Sequence, residues 1–101
     1  MFNKIPHKEI VEFTRVLSLL LYSRVSIIQA MELILKQTKN EKLKEIVKSI
    51  LKDTKSGSSL SKSFAKYPKV FADIFIANLK VGEETGEIAE VIGEYSLYLQ
   101  K

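Results

Sequence analysis

The stretch that decides the fold is the heptapeptide 82–88, whose sequence is Gly82-Glu83-Glu84-Thr85-Gly86-Glu87-Ile88. Glycine takes the positive-φ conformation found at helix ends more readily than any other residue, so Gly86 predicts the end of one helix. Apolar side chains recur at helical spacing on both sides of this glycine. The heptapeptide therefore predicts a sharp corner between two amphipathic helices, with carboxylates crowded onto it.

The same helical spacing of apolar side chains extends along the rest of the chain. It predicts six helices: 8–23, one opened by Ser26, one capped by Asn40 and ended by Gly57, 60–66 capped by Ser59, 70–84, and 88–99. Only four Gly and two Pro interrupt the pattern, and no segment alternates as a strand would. We predict an all-α fold, a compact antiparallel six-helix bundle, with residues 1–8 as an N-terminal lead and residues 9–101 as the helical domain.

Composition limits the class of protein. A chain of 101 residues with 46% apolar residues is one domain with a core of its own. The absence of Cys excludes disulfides and thiolate metal sites. The longest apolar run, 16–22, is far shorter than the ~20 residues that a membrane span needs, and no signal peptide is evident. We therefore expect a soluble domain, whose net charge of +4 is only mildly basic.

Residues suited to catalysis are scarce. The only histidine, His7, lies at the start of the first helix, where we expect it to be solvated. The serines at 58, 59, 61 and 63 have no histidine near them in sequence, and a capping role for Ser59 explains them better. The glycines at 82 and 86 lack the strand and the Lys-Ser/Thr pair of a phosphate-binding loop. We predict that the chain is not an enzyme.

The carboxylates of Glu83, Glu84 and Glu87 are the strongest candidates for site chemistry. Together with the Thr85 hydroxyl they supply oxygen ligands of the kind that Ca²⁺ or Mg²⁺ prefers. The alternative is structural: the negative charge of Glu87 interacts favourably with the positive N-terminal end of the sixth helix, and Glu83 and Glu84 are solvated or paired with lysines. Apart from this possible ion, the sequence predicts no cofactor.

A lysine stripe lies on one side of the third helix, at Lys44, Lys48, Lys52 and Lys55. Such a stripe can contact phosphates, and the alternative function is a free-standing helical regulator that binds nucleic acid. A solvated helix face has the same appearance. Sites for single-stranded nucleic acid usually carry aromatic side chains on which the bases stack, and no aromatic residues are interleaved with these lysines.

Apolar residues also lie off the main inner faces of the first two helices. They are Val11, Leu19, Tyr22, Ile28 and Leu33. Either they complete the core, or six short helices cannot bury them all and they form a partner or dimer interface.

Four short motifs follow one another along the chain, and their order and spacing together are characteristic. They are Phe13-Thr14-Arg15, Gly57-Ser58-Ser59-Leu60-Ser61, Tyr67-Pro68-Lys69-Val70-Phe71, and Gly82-Glu83-Glu84-Thr85-Gly86. With them, residues 9–99 resemble the N-terminal cytoplasmic domain of the GspF/PilC family, the inner-membrane platform proteins of type II secretion and type IV pilus assembly. The family's motif positions fall on Phe13, Thr14, Arg15, Gly57, Leu60, Ser61, Pro68, Phe71, Gly82, Glu83 and Gly86.

The resemblance implies a six-helix, non-catalytic scaffold domain that tends to form homodimers. It implies contacts with the assembly ATPase and other inner-membrane assembly proteins, no nucleic acid, and a place on the cytoplasmic face of the inner membrane. The chain would then be a fragment that stops just before a membrane span. Family members usually have Gly where this chain has Arg24. An arginine there is costly if the position needs positive φ, which predicts a different shape for the first loop.

Overall fold

The computed structural model describes residues 4–101, and this part of the chain contains six α-helices and no strand. They are α1 (His7–Tyr22), α2 (Ile27–Gln37), α3 (Glu41–Lys55), α4 (Leu60–Phe64), α5 (Asp73–Thr85) and α6 (Ile88–Leu99). The predicted all-α fold is confirmed. Residues 1–3 of the predicted lead lie outside the described part. The last two residues of that lead, 7 and 8, belong to α1, which begins at His7.

The predicted side-chain caps hold three helix starts. The side-chain oxygens of Ser26, Asn40 and Ser59 accept hydrogen bonds from backbone N–H groups three residues further on, at 3.2, 2.9 and 3.2 Å. Each bond satisfies one of the N–H groups that a helix leaves without an internal partner. Local sequence therefore marks where α2, α3 and α4 begin.

The start of α5 differs from the prediction, since the helix begins at Asp73 and not at residue 70. The N–H groups of Val70 and Phe71 both donate to the carbonyl of Tyr67, which forms a separate turn after the proline. The inner stripe of α5 is consequently Phe75, Leu79 and Gly82.

The apolar spacing in residues 70–84 predicts an inner face that also includes Ile74 and Asn78, but both residues are exposed. Ile74 and Asn78 each precede an inner-stripe residue by one position, which is about 100° around a helix. Their inward placement was wrong because the predicted face was drawn too wide for a helix that packs along a narrow stripe.

The helices pack as a closed ring. Each contacts the next along the chain, from α1 to α6, and α6 packs extensively against α1 to complete the circuit. The pair α1 and α6 is antiparallel, because His7 at the start of α1 donates from Nε2 to the carbonyl of Leu99 at the end of α6. The radius of gyration, 12.4 Å, is close to the ~13 Å of a globular domain of this length.

An aromatic cluster lies at the centre of the ring. Phe64 contacts Phe71 edge-on at 4.7 Å between ring centroids and Phe75 at 5.6 Å, and the ring of Tyr95 stacks on Phe75 at 4.0 Å. The three phenylalanines are at most 1% exposed. Burying one such side chain contributes roughly 1.5–3 kcal/mol, so this cluster holds α4, α5 and α6 together.

Candidate docking surface

The motif residues do not form a pocket for chemistry; they join the elements of the fold. Phe13 of α1 is buried, with its ring centroid 6.2 Å from those of both Phe64 and Phe71. Leu60 is buried as well, and the Thr14 hydroxyl donates to the carbonyl of Ile10 at 2.9 Å. These motif positions are therefore occupied by residues that the core needs.

Arg15, Gly57 and Pro68 are motif residues at the surface. The Arg15 guanidinium forms a bidentate ion pair with the carboxylate of Glu12 one turn earlier, with a shortest N–O distance of 2.9 Å. Gly57 has φ of 94°, which permits the turn between α3 and α4. Pro68 is exposed and lies in the turn before α5. Each has a local structural role.

Glu83 caps a helix that is distant in sequence. Its carboxylate accepts the N–H of Leu60 at 2.7 Å and the N–H of Ser61 at 3.3 Å, while the N–H groups of Lys62 and Ser63 bond to Ser59. All four N–H groups at the start of α4 therefore have partners. A five-residue helix is unstable by itself, and Glu83 ties it to the end of α5.

The corner at Gly86 has the predicted conformation. Gly86 has φ of 81°, and the carbonyl of Gly82 accepts the N–H groups of both Gly86 and Glu87 at 2.9 Å. A Cβ on Gly82 would lie 2.9 Å from the Cγ2 of Val91. The corner thus needs two glycines, one for its backbone angle and one for the close approach of α6.

The geometry gives no support to the metal hypothesis. Glu83 is committed to the start of α4, whereas Glu84 and Glu87 are exposed. Thr85 Oγ1 lies 3.4 Å from one oxygen of Glu87. Across residues 4–101, no three acidic or histidine side chains are gathered so that they could hold one ion.

Small residues form the seam between α1 and α6, which sequence analysis missed. The Ser18 hydroxyl donates to the carbonyl of Ala89 at 2.8 Å, and the Ser96 hydroxyl donates back to the carbonyl of Val11 at 3.1 Å. A Cβ on Gly93 would lie only 2.7 Å from the Ser18 Oγ. The signal was present in the sequence, as Ser and Gly on the apolar faces of two helices.

Arg24 takes a left-handed backbone conformation, which glycine adopts more readily than other residues. Its φ is 70°, the one positive value among the non-glycine residues described, and the N–H of Val25 bonds back to the carbonyl of Leu20 at 3.1 Å. This is the hydrogen bond of a Schellman motif. The loop therefore has a geometry that glycine favours, and the arginine is strained into it; the predicted difference in loop shape from other family members stays a prediction.

The predicted interface residues divide into two groups. Leu19, Tyr22 and Leu33 are exposed, at 53%, 54% and 46%. Val11 and Ile28 are half-buried, and Ile28 packs against the core. The surface formed by these five residues is named the α1–α2 patch below, and its use as an interface stays a prediction.

Tyr22 links this patch to α6. The edge of its ring approaches Gly93. Desolvation there, together with the carboxylates of Glu90 and Glu94, raises the pKa of the Tyr22 hydroxyl above its ordinary value.

A second exposed apolar surface was not predicted from the sequence. Ile74 and Tyr98 are 60% and 61% exposed, and they line a groove of about 380 Å³ between α5 and α6 with Glu94 at its edge. Val81 and Leu97 are also more than half exposed. We name the surface around Ile74 and Tyr98 the α5–α6 groove. The sequence did not predict this groove because Ile74 was expected to face inward and because the groove needs α5 and α6 packed side by side.

The lysine stripe is solvated at Lys48, Lys52 and Lys55 and partly buried at Lys44. Lys55 pairs with Glu32 of α2 at 3.2 Å. The hypothesis of a nucleic-acid-binding regulator gains no support from this arrangement. Within residues 4–101, no helix is both long and apolar enough to cross a membrane.

Comparison with known proteins identifies the family. Residues 13–101 match the family described as Type II secretion system (T2SS), protein F. The Type IV pilus assembly protein PilC of Thermus thermophilus is 27% identical over 94 residues, which are 93% of this chain and 23% of that protein. PilC of Pseudomonas aeruginosa is 24% identical over 99 residues, 98% of this chain and 26% of that protein.

A further relative is the Type IV pilus assembly protein TapC of Aeromonas hydrophila, 20% identical over 98 residues, which are 97% of this chain and 24% of that protein. The chain thus spans about a quarter of the length of these curated relatives. The predicted resemblance is confirmed, because the family match covers nearly the whole chain. The chain belongs to the type II secretion system protein F family.

Proposed function

We propose that this domain is a non-catalytic docking module of a platform protein in type II secretion or type IV pilus assembly. It binds the assembly ATPase and other inner-membrane assembly proteins on the cytoplasmic face of the inner membrane, and it forms a homodimer. The observation that carries the proposal is a set of large apolar side chains exposed on a fold whose core is already full: Leu19, Tyr22, Leu33, Ile74, Val81, Leu97 and Tyr98. Two of them, Ile74 and Tyr98, line one groove, and apolar side chains exposed together mark interaction sites.

The commitment of the polar groups also supports a docking role. The buried hydroxyls of Thr14, Ser18, Ser63 and Ser96 donate to backbone carbonyls. Across the described residues, every buried side-chain nitrogen or oxygen has a hydrogen-bond partner. A catalytic cleft would instead hold reactive groups free for substrate.

Charged substitutions on each apolar surface test the proposal. The first variant is Leu19→Glu with Leu33→Glu on the α1–α2 patch, and the second is Ile74→Glu with Tyr98→Glu on the α5–α6 groove. Each adds two charges at exposed positions, so folding is expected to survive, which circular dichroism checks. The matched control, Gln37→Glu with Ser58→Glu, adds the same charge at exposed polar positions.

Two measurements follow for each variant: sedimentation velocity for self-association, and capture of the cognate assembly ATPase together with its turnover rate. We expect one surface to carry the dimer contact and the other to carry the ATPase contact, with the control unchanged. If both variants dimerised and bound the ATPase as the parent chain does, the docking proposal would be wrong.

A further inference from the structure

A basic pocket opens at the end of the bundle where α1 begins and α6 ends. Its volume is about 460 Å³. The apolar part of the lining comes from Ile5, Ile10, Val70 and Leu99, and the cationic part from Lys4, Lys42 and Lys69, with His7 between them. This is large enough for a small ligand or the head of a larger one.

The three lysines come from three separate parts of the chain. Lys4 precedes α1, Lys42 lies in the first turn of α3, and Lys69 lies in the turn before α5. All three are exposed, and no acidic side chain lines the pocket. Like charges that converge on an apolar concavity raise the local positive potential and attract anions.

Another crevice of the same molecule shows the contrast. Between α4 and α5, Lys62 and Lys80 line a depression together with Glu83 and Glu84, so its charges are balanced. Glu41 and Asp73 begin the helices nearest the basic pocket, yet neither lines it. The unbalanced charge is therefore a property of this pocket and not of every crevice in a mildly basic chain.

The helix turn that supplies Leu99 to the pocket also carries exposed apolar side chains. Leu97 and Tyr98, 63% and 61% exposed, stand on the last turn of α6 next to the pocket-lining Leu99. Lysine beside aliphatic side chains and tyrosine is the composition of surfaces that rest in the headgroup layer of a bilayer.

We propose that this end of the bundle binds the surface of a bilayer rich in anionic phospholipid. The three lysines contact the lipid phosphate, and the aliphatic floor takes the first methylene groups of the acyl chain. The inference rests on the proposed function in one respect, since a place at the inner membrane supplies the bilayer. It adds a lipid class, a binding pocket and an orientation of the domain.

The lining favours lipid over an acidic protein segment or a nucleotide. Ile5, Ile10, Val70 and Leu99 offer only aliphatic contact, and the one ring, that of His7, is engaged by the Leu99 carbonyl. A base would need a free aromatic platform, and a peptide would use side-chain amides or hydroxyls that this pocket lacks.

Vesicle co-sedimentation of the 101-residue chain tests the inference. We expect binding to vesicles made of equal parts phosphatidylglycerol and phosphatidylcholine, weakened by added salt, and little binding to phosphatidylcholine alone. The test variant is Lys4→Gln, Lys42→Gln and Lys69→Gln combined. A lysine near an anionic surface contributes about fivefold to binding, so we expect a loss of about a hundredfold.

The matched control is Lys44→Gln, Lys48→Gln and Lys52→Gln combined, which removes the same net charge from the lysine stripe of α3. We expect a much smaller loss. An equal loss in both triple variants would overturn the pocket, because net charge alone would then explain binding. Circular dichroism of both variants establishes that they fold.

A second measurement separates lipid from other anions. In NMR titrations, we expect the pocket amides to shift with a short-chain phosphatidylglycerol and only weakly with inorganic phosphate. Stronger shifts with a polyglutamate peptide than with lipid would assign the pocket to an acidic protein and overturn the inference. If the parent chain captures the ATPase but does not bind the anionic vesicles, the lipid site alone is refuted. If the parent chain binds the vesicles but does not capture the ATPase, only the proposed docking function is refuted.

Discussion

Arg24 holds a backbone conformation that most side chains avoid. A left-handed φ costs a residue with a Cβ about 1–2 kcal/mol, and glycine escapes most of that cost. Because Arg24 is exposed at φ of 70°, we expect Arg24→Gly to raise the free energy of unfolding by about 0.5–1 kcal/mol once the greater chain entropy of glycine is deducted. Urea denaturation followed by circular dichroism measures the change.

The control for this prediction is Arg24→Ala, which removes the guanidinium and keeps the Cβ. We expect it to be no more stable than the parent chain, because the positive φ is still imposed by the bond from Val25 to Leu20. Equal stabilisation by Gly and Ala would show that the guanidinium, and not the backbone angle, is unfavourable.

Gly93 and Ser18 are matched to each other across the α1–α6 seam. A methyl group at residue 93 would approach the Ser18 Oγ to 2.7 Å, so we expect Gly93→Ala to destabilise the domain by about 1–3 kcal/mol through overpacking. Ser18→Ala removes the hydrogen bond to Ala89 and should cost about 1 kcal/mol.

The double variant distinguishes overpacking from a general effect of alanine. Without its hydroxyl, residue 18 leaves only a Cβ at 3.6 Å from the new methyl group, an ordinary contact. We therefore expect the double variant to be more stable than the sum of the single changes by about 1 kcal/mol or more. Simple additivity in thermal denaturation would mean that the seam is not close-packed at this point.

At the scale of elements, α4 depends on a side chain from α5. Removing the Glu83 carboxylate leaves the N–H groups of Leu60 and Ser61 without acceptors. We expect Glu83→Ala to lower the free energy of unfolding by about 1–2 kcal/mol, as the loss of a helix cap does. Hydrogen exchange should accelerate first at the amides of residues 60 and 61.

Glu84→Ala is the matched control, because it removes a neighbouring carboxylate that is exposed. We expect a change within about 0.5 kcal/mol and unaltered exchange in α4. Comparable destabilisation by both variants would assign the effect to helix α5 or to net charge, and the cross-element cap would not be needed.

Local sequence was enough to predict most of the elements. Ser26, Asn40 and Ser59 mark helix starts through bonds that span three residues, and such bonds are decided within one turn. The start of α5 was placed three residues early because the Val70–Phe71 turn is fixed by the buried Phe71 ring, a tertiary contact. The link from Glu83 to α4 joins residues 22 and 23 positions apart, which periodicity cannot reveal.

The candidate surface was predicted only in part, for a related reason. Leu19, Tyr22 and Leu33 lie off the main inner faces and are exposed, which is one of the two alternatives that the sequence left open. The groove that Ile74 and Tyr98 line depends on how α5 and α6 pack side by side, which the periodicity of one helix does not show. The basic pocket is assembled from residues 4, 42 and 69, and only the closed ring brings these together.

For the whole molecule, the closed ring divides the surface by charge. The end where α1 begins and α6 ends carries the basic pocket, and the opposite end carries the corner with Glu84 and Glu87. A module with unlike ends can meet two kinds of partner without competition between them. The lysine variants of the pocket and the variants of the α1–α2 patch, which share no residue, should therefore affect lipid and protein binding independently.

The antiparallel pairing of α1 with α6 determines how the domain responds to mechanical tension. His7 and Leu99 adjoin one another, so a load applied through residues 4 and 101 peels the pair from one end, breaking the Ser96 bond before the Ser18 bond. Handles at residues 23 and 101 would instead shear all contacts at once. In optical tweezers we expect the first geometry to yield at the lower force; equal forces would mean that another helix pair ruptures first. A force applied between residues 4 and 101 thus loads the α1–α6 pair in the weaker of these two directions.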